Sequence, residues 1–282
     1  MTPDLSLIIC THNRASALRH CLQVLTHQRY NARRWELVIV ENACTDDTSV
    51  VVAEIEGHLA YTFVREPRIG QARARNAGVR AARAPILAFT DDDCYVSTDY
   101  VLRMMDAFQC PTIGYVGGQV QLHDHTDAPE TIQTRPYPLE FGPGLIMHPG
   151  DIHGANMACR RAVWERIGGF DERLGPGTRF VCDDVDFLCR ASLAGYDGLY
   201  DPLPLVRHHH GRKPGRDVDR LHRAYARGRG AYYMKGCLHS EARREFAAHW
   251  YWHLRTQAKR RRFGEMAHEL VAAAEFAVRY PW

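Results

Sequence analysis

Four short apolar runs, each followed by a more polar segment, limit the folds open to this chain. Leu5 to Cys10, Trp35 to Val40, Tyr61 to Val64 and Ile86 to Phe89 are too short and too evenly apolar for amphipathic helices. They read as buried strands. After the first, Ala17, Leu18, Cys21, Leu22 and Leu25 recur at helical spacing. Ser49 to Glu56 and the Ala- and Arg-rich Gly70 to Ala82 fill the next two gaps as helices. Strands alternating with helices make βαβ units, so the expected class is α/β with a doubly wound, mainly parallel sheet.

In open sheets of this kind ligands gather at the C-terminal ends of the strands. Strand one ends in Thr11-His12-Asn13-Arg14 and strand two in Glu41-Asn42-Ala43-Cys44-Thr45-Asp46-Asp47-Thr48. The run Ile86 to Phe89 leads through Thr90 into Asp91-Asp92-Asp93. Three adjacent carboxylates repel one another, and a hard divalent cation carrying phosphates would compensate them. A solvated acidic turn is the plainer alternative. No glycine follows strand one, so the dinucleotide fingerprint is absent, and no GxxxxGK[ST] phosphate loop occurs. Gly228-Arg229-Gly230 follows no strand and carries no such signal.

Beyond the acids, Asp99 to Phe108 reads as a helix and Gly114 to Leu122 as a strand. His123 to Gly150 is rich in Pro, Gly and His, and a loop of that length usually shapes a site. A short helix from Arg161 to Ile167 follows. Asp183, Asp184 and Asp186 open a helix that runs from about Val185 to Leu193, where carboxylates also suit the helix dipole. Leu203 to Arg207 is a last short strand running into His208-His209-His210. Strand alternation puts His208 and His210 on one face. From Arg216 the pattern is helical, with further helices from about Glu241 to Arg260 and Met266 to Val278.

Charge is uneven along the chain. From Arg207 on, 17 Lys and Arg stand against 7 Asp and Glu, whereas the first 206 residues carry 19 against 26. A basic tail on an acidic body suggests an anionic partner, whether membrane surface, lipid phosphate or nucleic acid. Nucleic acid is not expected, because no DNA- or RNA-binding motif accompanies the charge. Trp250, Tyr251 and Trp252 among basic residues suggest peripheral membrane contact. A helical cap or homodimer contact is the plainer reading of the same tail. No run approaches the roughly 20 residues of a membrane span, and Met1-Thr2-Pro3-Asp4 lacks the form of a signal peptide. Nine cysteines without CxxC spacing read as free thiols, and the expected location is cytoplasmic, with peripheral contact at the inner face of the membrane.

The order of motifs resembles family 2 glycosyltransferases, which have the GT-A fold, a Rossmann-like sheet. The matching pieces are Cys10 to Arg14, Glu41 to Thr48, Gly70 with Ala74-Arg75-Asn76-Ala77-Gly78, and the acid triplet in the place of the DxD motif. Gly154-Ala155-Asn156-Met157-Ala158, Gly168-Gly169-Phe170-Asp171-Glu172 and Asp183-Asp184-x-Asp186 complete the series. The resemblance spans about residues 4 to 210. It implies a catalytic domain over 1–212, with 1–122 as the nucleotide-sugar half and 123–212 as the acceptor half. A basic helical extension then covers 213–282.

The resemblance also implies roles. Asp93 would bind Mn²⁺ or Mg²⁺, with His208 or His210 completing the coordination. Asp91 would lie near the ribose, with Asp92 in support. Thr11, Asn13, Arg14, Glu41, Asn42, Asp46, Arg75 and Asn156 belong to the nucleotide-sugar side. Glu41 stands where relatives usually carry Asp. Apart from the resemblance, Arg212 and Lys213 just beyond the histidines are cations that could serve the same phosphates. An acceptor hydroxyl is a weak nucleophile at neutral pH and needs a base. Asp184 takes that position, with Asp183 in place of the usual Glu, and with Asp171 and Asp186 as acceptor-side or supporting residues.

The implied reaction is metal-dependent transfer of a sugar from a nucleoside-diphosphate sugar to a hydroxyl, with inversion. UDP-sugars are the commonest donors, and the setting is cell-surface polysaccharide or other glycoconjugate synthesis. The acceptor is a glycan, a lipid-linked sugar or a small molecule. A sugar-phosphate nucleotidyltransferase, or a non-catalytic sugar- or nucleic-acid-binding module, is the alternative.

Overall fold

The computed structural model describes residues 2–31 and 34–281. Met1 at the head of the N-terminal stretch and Trp282 at the end of the basic tail lie outside the described residues. The first half alternates as expected: β1 (Leu5–Thr11), α1 (Ala15–Leu25), β2 (Trp35–Asn42), α2 (Thr48–Ala53), β3 (Tyr61–Glu66), α3 (Gln71–Ala81) and β4 (Ile86–Asp91). β1 pairs in parallel with β2 on one side and β4 on the other, and β3 joins β2 in parallel. Register aligns the strand ends. Thr11 lies beside Glu41, and Cys10 beside Asp91.

The second half adds β5 (Cys94–Val96), α4 (Tyr100–Ala107), β6 (Ile113–Leu122), β7 (Leu139–Phe141), β8 (Asn156–Arg160), α5 (Arg161–Ile167), α6 (Asp183–Leu193) and β9 (Asp197–His208). The sheet order is β3-β2-β1-β4-β8-β6-β9-β5, with β7 on β9. β8 runs antiparallel to both β4 and β6. β5 and β7 run antiparallel to β9, while β6 and β9 are parallel. Three of these strands are too short to announce themselves in sequence. β9 is longer than the Leu203 to Arg207 segment expected, because Pro202 and Pro204 hide it. The register jumps from Gly118–Asp201 to Gln119–Leu205, so both prolines sit in an irregularity and take no ladder bond there.

Helices cover both faces. One buried cluster joins α1, α2 and α4 to the sheet through Leu18, Leu22, Val51, Tyr100 and Met104. The other joins α3 and α6 to the opposite face through Ala74, Val79, Phe187 and Leu188. Gly78 sets the distance of α3 from the sheet. A Cβ there would lie 2.6 Å from Ile8 Cγ2, so only glycine permits the approach.

Three helices close the chain: α7 (Arg216–His239), α8 (Arg243–Lys259) and α9 (Phe263–Arg279). They share the second core, since Ala231, Tyr232, Tyr233, Phe246, Ala272 and Phe276 are buried with the sheet residues Ile8 and Leu87. Gly228 and Gly230, which carried no motif in sequence, have a packing reason. A Cβ at Gly230 would fall 2.0 Å from the Glu269 carbonyl, and one at Gly228 would fall 2.1 Å from the Val181 carbonyl. α7 therefore lies backbone to backbone against α9 and the loop before α6.

Of the aromatic trio on α8, Trp250 turns inward. It stacks on Tyr233 and donates to Glu269 Oε1 at 2.8 Å. Tyr251 and Trp252 remain more than half exposed. Among the described residues no helix is long and apolar enough to cross a membrane.

Candidate active site

The strand ends assemble the acid cluster. β4 carries Asp91 at its last position, and the turn into β5 buries Asp92 and Asp93. Gln71 Nε2 at the start of α3 donates to Asp91 Oδ1 at 2.9 Å. Thr11 Oγ1 donates to Asp92 Oδ2 at 2.7 Å. Arg14 lies across the pair, 3.2 Å from Asp92 and 2.7 Å from Asp93. Burial, together with the charge of Asp93, outweighs Arg14 and Thr11 and pushes Asp92 up to about 7.

Antiparallel pairing of β5 with β9 places His208 opposite Cys94, and His208 Nε2 lies 3.4 Å from Asp93 Oδ1. Burial disfavours charge on both groups, yet each holds the other charged. Asp93 is lowered by His208 and Arg14, and His208 is raised by Asp93. Asp91, Asp93, Cys94 and His208 offer ligand atoms within 4.8 Å of one another. Two carboxylates and an imidazole suit Mn²⁺, and the carboxylates alone suit Mg²⁺. Burial keeps the Cys94 thiol well above its ordinary range, so it is a poor fourth ligand. The residues present therefore fit a hard or borderline divalent cation.

The opposite wall begins at α6. Arg75 reaches from α3 to Asp183 Oδ2 at 2.8 Å, to the Gly154 carbonyl at 3.1 Å and to Asp91 at 3.5 Å. Burial raises Asp183, against the pull of Arg75 and with the charge of Asp184 beside it. Asp184 is oriented by backbone alone. Its Oδ2 accepts from Gly154 N at 2.9 Å and its Oδ1 from Val185 N at 2.8 Å. A cleft of about 660 Å³ brings Arg14, Asn42, Arg75, Asp91, Asp92, Asp93, Asp183, Asp184 and His208 onto one surface.

Other expected residues lie off that surface. Asn156 is fully buried and spends its side chain on Tyr100, Gln119 and Pro204, so it ties β8 to β6 and β9 instead of facing the cleft. His210 stands against Asp127 at 3.7 Å, behind His208. Asp46 accepts from Ala15 N at 2.9 Å and so caps α1, and Asn13 at φ 53 accepts from Thr45 N. Asn42, although on the cleft, fixes the turn into α3 by accepting from Gly70 N and donating to Glu66 and Arg68 carbonyls.

Asp171 and Asp186 converge behind α6 on Lys235, which is 2.8 Å from Asp171 and also paired with Asp186. Glu41 does not line the cleft; its buried Oε2 lies 3.3 Å from Arg65 Nε, an ion pair without hydrogen-bond geometry. Sequence reasoning missed Gln71, Cys94, Lys235 and Tyr225. Cys94 follows the acid triplet directly but reads as one more free thiol, whereas topology alone brings Gln71, Lys235 and Tyr225 toward the site's carboxylates.

Comparison with known proteins decides the family. The profile of glycosyl transferase family 2 matches residues 6–168, more than half of the chain. The chain belongs to that family. This family 2 chain is 26% identical over 198 residues to glycosyltransferase AglE of Haloferax volcanii, covering 69% of the chain and 63% of the relative. It is 36% identical over 111 residues to validoxylamine A glucosyltransferase of Streptomyces hygroscopicus, covering 39% of the chain and 26% of the relative. The chain thus spans about a quarter to three-fifths of these relatives. Among solved structures, the mannosyltransferase PcManGT from Pyrobaculum calidifontis in complex with GDP-Man and Mn²⁺ superposes with a TM-score of 0.69 at 21% identity. That match covers all of this chain and 77% of the neighbour. S. aureus TarS 1-349 in complex with UDP-GlcNAc gives 0.64 at 14% identity, over 97% and 71% of the two chains. The family 2 assignment and the α/β fold agree with the expectation from sequence.

Proposed function

We propose that this chain transfers a sugar from a nucleoside-diphosphate sugar to an acceptor hydroxyl, with inversion. The observation that carries the reading is the cleft itself. The acid cluster after β4 and an oriented Asp184 at the head of α6 face the same space.

Asp184 is the base in this reading. Two backbone N–H donors fix its carboxylate, so its orientation does not have to be found during reaction. Arg75 and Asp183 hold the helix start in place. Thr11, Asn13, Arg14, Asn42 and Asp46 shape the nucleoside end. Glu41 stands at the nucleoside end in this reading, its Oε2 held 3.3 Å from Arg65 Nε. Asp93, Asp91 and His208 would hold Mn²⁺ or Mg²⁺, which when bound offsets charge on the diphosphate. Asn156, Asp171, Asp186 and His210 support the frame.

The two solved neighbours carry a guanine and a uracil nucleotide sugar, so the fold accepts either base. UDP-sugars remain the first donors to test. The division into 1–122, 123–212 and 213–282 belongs to this reading, as does glycoconjugate or polysaccharide synthesis. Exposed Tyr251 and Trp252 beside Arg255, Lys259 and Arg260 are proposed to meet an anionic membrane surface. The test is a thermal-shift screen of UDP, GDP, dTDP and their sugars with and without Mn²⁺. A ligand that binds the native state raises the melting temperature. No shift with any nucleotide would remove the reading.

A further inference from the structure

The segment leaving β9 delivers an unpaired guanidinium to the cleft. Arg212 lines the same cavity as Asp91, Asp93 and His208. Its backbone is fixed on both sides. Its N–H donates to His210 Nδ1 at 3.0 Å, and its carbonyl accepts from Ala128 N at 2.8 Å. Gly211, at φ +68, makes the turn and donates to Asp127 Oδ2 at 2.9 Å. Lys213 is committed to Asp127 at 2.7 Å, Asp124 at 3.2 Å and Thr126 at 2.6 Å. The two adjacent cations thus have different fates. Lys213 anchors the segment, and Arg212 is held with its side chain uncommitted.

The other guanidinium groups on the cleft are paired. Arg14 meets Asp92 and Asp93, Arg75 meets Asp91 and Asp183, and Arg229 meets Glu265 and Glu269. Among the described residues Arg212 has no carboxylate at ion-pair distance, and its Nη1 is buried without a hydrogen-bond partner. A buried charged donor without an acceptor is unfavourable, and an anionic ligand relieves it.

We propose that Arg212 binds the terminal phosphate of the donor's diphosphate, on the side of the cleft occupied by His208. This rests on the nucleotide-sugar reading above. In transfer, the bond between the anomeric carbon and the terminal phosphate oxygen breaks, and its electron pair stays on that oxygen. The acceptor oxygen forms the new bond and its proton passes to Asp184. A guanidinium already fixed beside the departing phosphate stabilises the growing charge without rearrangement.

The test is calorimetric titration of UDP, UMP, GDP and GMP into the full chain with Mn²⁺. Wild type is compared with R212A, R212K and R216A, the last removing an exposed cation outside the cleft. R212A is expected to weaken the bound diphosphate by about tenfold or more and to leave the monophosphate unchanged. R212K, which keeps the charge and guards against a folding defect, should fall between, and R216A should match wild type. Equal diphosphate affinity in R212A and wild type would overturn the assignment while leaving the glycosyltransferase reading intact. Equal losses for mono- and diphosphate would overturn it as well. A wild-type chain that bound no nucleotide would sink both readings together.

Discussion

Arg75 Nη1 lies 2.8 Å from Asp183 Oδ2, a pair separated by 108 residues in sequence and buried on both sides. It joins the half of the chain that carries the acid cluster to the helix that carries Asp184. Removing one member of a buried pair leaves the other charged and unmatched. Arg75→Met is therefore expected to cost about 3–5 kcal/mol in urea unfolding. Arg75→Lys, which keeps the charge but loses the fork to Gly154 and Asp91, should cost less. Equal, small losses for both would mean that the pair contributes little.

Asp184→Asn keeps the shape and removes the proposed base. A positioned general base contributes about 10²–10⁴-fold, so kcat should drop by that order while nucleotide affinity holds. Transfer at near wild-type rate would place the base elsewhere.

The tail has its own pH dependence. Burial acts to raise Glu269, but its bonds to His253 and Gln257 and the charge of Arg229 outweigh burial and lower it below the ordinary carboxylate value. A depressed acid contributes stability that is present above its unfolded pKa and lost as pH falls through the folded value. The urea midpoint should decline below about pH 4.5, and Glu269→Gln should flatten that decline. An unchanged slope in the variant would assign the acid sensitivity to other carboxylates.

Gly230→Ala forces a Cβ against the Glu269 carbonyl. Overpacking of this kind costs about 1–3 kcal/mol, although alanine is the better helix former. Gly264→Ala, in the first turn of α9 with open space around it, should be neutral or stabilising by up to about 1 kcal/mol. Opposite signs in two melting curves would separate packing from propensity.

Membrane contact predicts sedimentation with liposomes that contain phosphatidylserine at low salt, and its loss in 0.5 M salt at about a 4 Å screening length. Trp252→Ala should weaken it. No sedimentation with the anionic vesicles would remove the membrane reading.

What could be read from sequence follows from burial. β1, β2 and β4 lie inside the sheet under helices on both faces, so their runs are apolar throughout and easy to see. β5 and β7 have three residues each, β8 has five, and β9 is masked by its prolines. The acid triplet stood out because charge after an apolar strand needs a reason, whereas Asp184 was singled out by the resemblance to family 2. Asn156 was not, because spacing along the chain does not say which way a strand residue points. Its amide faces β6 and β9, neither of which is near it in sequence. Arg212 and Lys213 look equivalent as letters, and only Asp124 and Asp127 tell them apart.

The wall that α7 gives to the cleft has a consequence for modularity. Leu221, Ala224, Tyr225 and Arg229 line the cavity from the C-terminal helices, and those helices share a core with the sheet. A chain cut after residue 212 would lose part of its own binding surface along with its tail. Exchange of that tail between relatives would therefore reshape one wall of the cleft while leaving Asp91, Asp93 and Asp184 in place.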